Sequence, residues 1–341
     1  MTQHPALLPV RPQWLALRHE APLDPDLPIV DTHHHLMRLS PEPYLADAFL
    51  RDIAESGHRV VATVHVDARL DYFPDGPEAL RPVGETLAVL GQARREGPVR
   101  LALGLVGYVD LRNPVAREVL ERHLAEGEGR FRGIRQISPW DADASLTPAV
   151  MQAPPPGLLA DAAFRAGFAA LSALGLSFDS WVYSPQLREL IDLADAFPEV
   201  TIVLDHCGTP VAQGVYVERR AEALAAWRRD LAELARRPNV CCKLGGLAKW
   251  LTGSDFHLRP APPSSEELAA AWGPIFATCI DAFGIDRCMF ESNFPLEKAT
   301  TGYGVLWNAF KRFAAGFSAA EKTDLFSGTA ARAYRLDLPR H

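Results

Sequence analysis

Leu27-Pro28-Ile29-Val30-Asp31-Thr32-His33-His34-His35-Leu36 is the stretch from which the rest of this chain can be read. An apolar run, Leu27 to Val30, leads into a polar cluster, as at the end of a buried strand. Side chains alternate along a strand, so His33 and His35 project to one face, roughly 7 Å apart. Asp31 is expected on that face one layer deeper, and His34 on the opposite one. Two imidazoles on one face can hold a metal ion, or bind and deprotonate a water. The plain alternative is a pair of strand histidines with no such role.

Outward from this stretch the chain alternates. Further apolar runs predict strands at 58–67, 99–109, 131–137, 176–183, 200–207, 239–244 and 287–293. Between them, amphipathic patterning predicts helices at 43–56, 80–96, 114–126, 160–173, 185–197, 217–236 and 265–283, with two more at 304–315 and 319–335. The second run, with Val60, Val61, Val64 and Val66, is near-continuously apolar, as in a parallel sheet covered on both faces. Such alternation implies parallel strands with right-handed crossovers. Eight units predict an α/β fold, a (β/α)8 TIM-type barrel over 28–337. An open doubly wound sheet is the alternative, but no Gly-x-Gly-x-x-Gly follows a strand. Residues 1–27, with Pro5, Pro9, Pro12, Pro22 and Pro25, predict an extended arm pinned by the residues around Trp14. The Pro-rich stretches 138–160 and 254–264 are expected to be lids.

Composition bounds the function. The 341 residues are 48% hydrophobic, enough for a large core, and carry a net charge of −7 without a long run of either sign. That argues against nucleic-acid binding. The five cysteines, Cys207, Cys241, Cys242, Cys279 and Cys288, are odd in number and sit mostly in apolar runs, as reduced thiols of a cytoplasmic protein do. No leader and no apolar run long enough for a membrane span is present, so no membrane partner is expected.

In a barrel the chemistry sits at the C-terminal strand ends. Those ends offer His33 and His35, His65 and Asp67, Arg132, Arg135 and Gln136, Asp179, Trp181 and Tyr183, Asp205 and His206, Lys243, and Glu291 and Asn293. Each histidine alone reads as a core residue; four of the 11 on one rim is a pattern. Trp140, Trp181, Tyr183 and Trp250 are candidate walls of an apolar pocket.

These motifs resemble the amidohydrolase superfamily, in its amidohydrolase-related branch of lactone hydrolases and decarboxylases. The matching residues are Asp31-Thr32-His33-His34-His35, Gly133-Ile134-Arg135, Asp205-His206-Cys207-Gly208, Lys243-Leu244-Gly245-Gly246, Phe290-Glu291-Ser292-Asn293-Phe294-Pro295, and the ending Phe326 to Leu336. Val182-Tyr183 and the Ser-Asn-Phe-Pro run are closer to lactonases than to decarboxylases. The resemblance implies a distorted barrel that opens an ester-like or amide-like bond of a small molecule. It also implies a metal set of His33, His35 and His206, with either one divalent ion, zinc or manganese, or none. Two positions depart from the pattern: strand 5 offers no histidine, and Asn293 stands where an aspartate base is expected. An amide cannot take a proton from water. His206 is then the first candidate base and Glu291 the second, with Asn293 left to orient the water. His65, Arg135, Trp181, Tyr183 and Lys243 are the candidate substrate-binding residues. The leading expectation is a lactone hydrolase. The rivals are a metal-dependent decarboxylase of an aromatic acid and a degenerate binding protein. A small molecule is the expected partner, and a homo-oligomer is left open.

Overall fold

The computed structural model describes residues 8–38, 42–95, 97–149 and 153–338. Eight parallel strands form a single sheet in sequential order: β1 Ile29–His34, β2 Val60–Val66, β3 Arg100–Gly107, β4 Phe131–Arg135, β5 Ser177–Ser180, β6 Ile202–Leu204, β7 Val240–Leu244 and β8 Cys288–Phe290. The sheet curls into a barrel. Past β8, the Asn293 amide donates to the His33 carbonyl (2.8 Å) and the His35 amide to the Phe294 carbonyl (2.7 Å). The expected (β/α)8 architecture is therefore the one the chain adopts.

The helices are α1 Pro12–Leu15, α2 Ala46–Ser56, α3 Val83–Ala93, α4 Ala116–Glu126, α5 Ala162–Leu174, α6 Leu187–Ala196, α7 Arg220–Leu234, α8 Ser265–Phe283, α9 Tyr303–Phe313, α10 Ala319–Thr323 and α11 Thr329–Ala333. Their starts and stops follow local chemistry. Asp161 caps α5 by accepting from the Phe164 amide at 2.9 Å, and Ser264 and Glu267 form a reciprocal capping box on α8. Gly57 and Gly175 end α2 and α5 in the left-handed region. The last predicted helix, 319–335, is broken into α10 and α11 by a π-helical segment, Asp324–Gly328.

Two apolar layers result. The outer one packs α2–α9 on the barrel, with Phe49, Phe168, Trp227 and Phe310 buried. The inner one fills the lower barrel with Val30, Val64, Val106, Val203 and Met289, and Tyr334 beyond α11 enters it from below. Of the predicted arm, residues 1–7 lie outside the described residues; from Leu8 on it is not wholly extended, since α1 makes one helical turn. Trp14 is buried, and its indole N–H donates to the Arg259 carbonyl at 2.9 Å. The arm thereby clamps 254–264, and no residue of 254–264 lines the cavity at the barrel mouth. No helix among the described residues is long and apolar enough to cross a membrane.

Candidate active site

The site begins with a break in β1. Pairing with β2 shifts register between Asp31 and His34, as at a bulge. The shift changes which residues face inward. Val30 lies in the barrel interior. Asp31, expected to share a face with His33 and His35, instead accepts from the Ser292 amide (3.0 Å) and from the Tyr303 hydroxyl (2.9 Å) on α9. His34 points outward as expected, stacking on Phe49 and meeting Thr63 Oγ1 at 2.9 Å. His33 and His35 turn inward, with their Nε2 atoms 3.2 Å apart.

His206 approaches from the end of β6 on a tight left-handed turn: His206, Cys207, Gly208 and Thr209 all have positive φ. For non-glycine residues this costs on the order of 1–3 kcal/mol each and clusters at functional sites. Glu291, from the end of β8, fastens the turn. Its Oε1 accepts from the His206 amide (3.1 Å) and from His206 Nδ1 (2.6 Å), and its Oε2 lies 2.9 Å from His33 Nδ1. The Gly245-Gly246 pair is explained here. A Cβ on Gly246 would lie 2.2 Å from His206 Nδ1, and one on Gly245 2.5 Å from the Glu291 side chain.

Beneath the histidines is a sealed charge cluster. Lys243 Nζ sits 2.6 Å from Asp179 and 3.0 Å from Asp205, and 3.2 Å from His33 Nδ1. Tyr334 donates to Asp179 at 2.7 Å. Burial alone would neutralise Lys243, but the surrounding carboxylates hold its pKa above the ordinary value. Burial drives His33, His35 and His206 well below the usual imidazole range, with Lys243, Arg135 and Lys249 respectively adding to the effect. That direction favours the neutral form of all three.

Above them a cavity of about 130 Å3 opens to the mouth. His35, Arg135 and His206 form its floor; Asp67, Tyr72, Tyr108, Gln136, Trp181 and Lys249 are among its walls; Ala153, Pro154, Pro155 and Leu158 cover it. The part of 138–160 from Ala153 to Leu158 thus supplies a lid. Arg135 Nη2 donates to the Asp67 carbonyl (2.5 Å), while Nη1 lies 3.3 Å from His33 Nε2. Burial and the neighbouring Glu85 carboxylate raise the Asp67 pKa well above the carboxylate range.

The structure brings His33, His35, Arg135, Trp181, His206 and Glu291 together. Other predicted residues stand behind the cavity wall. Lys243 lies below the floor. His65 meets Glu85 at 3.0 Å, and Glu85 also accepts from the amides of Ala68 and Arg69, so this pair shapes the loop after β2. Tyr183 donates to the Leu146 carbonyl at 3.2 Å. Asn293 is buried and donates to Glu297 at 3.1 Å. Trp140 and Trp250 do not line the cavity. Sequence reading missed Arg69, Tyr72, Tyr108, Arg112 and Lys249, which sit on loops past the strand ends. One signal was available for Lys249: the chain has only five lysines, and this one follows the Gly245-Gly246 motif closely.

The donor set suits a divalent metal. The Val66 carbonyl accepts from His35 Nδ1 at 2.8 Å and Glu291 from His206 Nδ1, which leaves the Nε2 lone pairs free. Neutral imidazoles anchored in this way are the metal-binding form. The 3.2 Å between His33 and His35 Nε2 suits two nitrogens about 2.0–2.1 Å from one zinc ion. His33, His206 and Glu291 also hold ligand atoms within 4.8 Å of one another.

A barrel whose mouth gathers histidines, a buried carboxylate and an arginine fits a hydrolytic barrel enzyme. The chain belongs to the amidohydrolase family, whose profile matches residues 30–336, and it is a hydrolase. It is similar to an L-fucono-1,5-lactonase of Burkholderia multivorans, 32% identical over 287 residues that cover 79% of this chain and 88% of that protein. It is also 32% identical to the uncharacterised protein y4mH of Sinorhizobium fredii, over 91% of this chain and 99% of that one. Among solved structures, an amidohydrolase from Burkholderia multivorans with bound zinc superposes with a TM-score of 0.68 at 28% identity, covering 91% of this chain and 99% of that one. A putative 2-pyrone-4,6-dicarboxylic acid hydrolase from Pseudomonas putida shares the fold at 19% identity and a TM-score of 0.61, covering 92% and 99%.

Proposed function

We propose that this hydrolase opens the lactone of a small sugar acid, of the L-fucono-1,5-lactone type, with His206 as general base. The observation that carries this is the His206–Glu291 contact. A carboxylate on Nδ1 fixes the tautomer that leaves Nε2 as a proton acceptor, directed at a cavity sized for a small molecule. The lactonase relative of Burkholderia multivorans supports the substrate class.

In this reading His206 Nε2 takes a proton from water as its oxygen attacks the lactone carbonyl. Glu291 stabilises the imidazolium that forms. His206 then returns the proton to the ring oxygen as the C–O bond breaks, releasing a hydroxy acid. His33, His35 and Arg135 position the water and substrate. Asn293 acts from behind the wall: its backbone amide holds the end of β1 and its side chain orients Glu297. Lys243 and Tyr183 support the floor and wall without contact to substrate. Were a divalent ion bound, His33, His35 and His206 would hold it and it would supply polarisation of the carbonyl; His206 Nε2 would then be a ligand, so the base step above is that of the metal-free site. The free cysteines suit the reducing cytoplasm.

Turnover of a panel of aldonolactones, followed by acid release, tests the proposal. Opening of at least one 1,5-lactone is expected. Carbon dioxide release from aromatic acids with no lactone opened would instead establish the decarboxylase rival.

A further inference from the structure

Lys249 is the cation in the cavity wall with no hydrogen-bond or ion-pair partner among the described residues. Nearby cations are engaged. Arg112 Nε and Nη2 meet Asp110 at 3.0 and 2.9 Å, and Arg135 is fixed by the Asp67 carbonyl. The Lys249 ammonium lies 4.7 Å from the centre of the Trp181 ring, and that ring stands edge-on to His206 at 6.0 Å. Lys249 therefore stands half-buried in the cavity wall, beside the general base in the floor. Burial lowers the Lys249 pKa, and the Glu297 carboxylate, which makes no ion pair with it, offsets that only in part; a partly desolvated ammonium held in this way is costly unless something negative forms beside it.

We propose that Lys249 is a further catalytic residue, whose ammonium binds the oxyanion that develops on the lactone carbonyl. The inference rests on the lactonase reading above. As the water oxygen bonds to the carbonyl carbon, the π pair moves to the carbonyl oxygen and the water proton moves to His206. Lys249 donates a hydrogen bond to that oxygen and loses no proton. When the pair returns, the ring C–O bond breaks and His206 protonates the leaving oxygen. The cation stacked on Trp181 is pre-placed, so little reorganisation is needed at the moment of reaction. The same ammonium then faces the product carboxylate.

The test uses the full chain with Lys249→Met, Lys249→Arg and Lys249→Ala, on a 1,5-lactone that the native enzyme opens. Lys249→Met keeps the stem on Trp181 and should lose kcat by about 100-fold or more with KM little changed, as for removal of one oxyanion donor. Lys249→Arg should retain an intermediate rate. Propylammonium added to Lys249→Ala should restore part of kcat, which a merely structural role would not allow. The affinity for L-fuconate, read by Trp fluorescence, should fall by about tenfold or more in Lys249→Met. A Lys249→Met enzyme with native kcat, or one in which only KM rises, overturns the assignment of Lys249 while leaving the lactonase reading intact. Thermal melts of the variants separate a failed fold from a failed reaction. Native enzyme that opens no lactone overturns the functional reading and this inference together.

Discussion

In the proposed mechanism His206 and Glu291 act as a pair, 2.6 Å apart, and that contact decides how each should respond to substitution. Glu291→Gln removes the carboxylate that fixes the His206 tautomer and stabilises its protonated form. A loss of about 100-fold or more in kcat is expected, with the fold retained, by analogy with other orienting carboxylates. The pH profile carries a second prediction. Burial drives His206 well below 6.5, with Lys249 adding to the effect. A base with a depressed pKa stays neutral and active as pH falls, so kcat/KM should run flat from pH 8 through 6.5, with its acid limb displaced downward. An inflection at the ordinary imidazole value would place the working base in a more solvated setting. The neutral histidines also fit a metal, but a ligand nitrogen cannot act at the same time as base. With His33 already flanked by Lys243 and Arg135, exhaustive dialysis against EDTA is expected to leave kcat within about twofold, checked by metal analysis of the same sample.

At the scale of elements, the loop after β7 is built for its neighbour. Gly246 has φ +67°, and a side chain there would collide with His206. Gly246→Ala should lower kcat by about tenfold or more, by displacing the imidazole, while costing about 1–2 kcal/mol of stability for the left-handed backbone. Paired kinetics and thermal melts check both. The same scale shows what sequence reading could reach. Strand and helix positions were legible because each element buries a periodic apolar face. That His33 and His35 share a face was legible from period-two alternation alone. Where Asp31 points was not, since a bulge depends on pairing with β2 and on the Ser292 and Tyr303 donors from the far end of the chain. The roles of His65 and Asn293 were hidden for the same reason: Glu85 and Glu297, which engage them, lie 20 and four residues away on other elements.

Over the whole molecule, the arm and the barrel behave as one body. Trp14 and Arg18 donate to carbonyls of 254–264, and Lys311 on α9 donates to the carbonyls of Leu23 and Asp24. Prolines predicted an arm, but only the tertiary structure shows that 254–264 is its dock. Trp14→Ala should therefore cost about 3 kcal/mol of stability, seen as a lower melting temperature, with kcat at 25 °C unchanged. The cavity wall was the least legible part, because Tyr72, Tyr108, Arg112 and Lys249 come from loops whose course depends on packing between elements. The measurement that bears most directly on the account is the rate of acid release from L-fucono-1,5-lactone by the native protein and by His206→Asn. Turnover by the native enzyme, reduced at least about a thousandfold in the variant, is the predicted result. A His206→Asn enzyme that still opens the lactone at the native rate would contradict it.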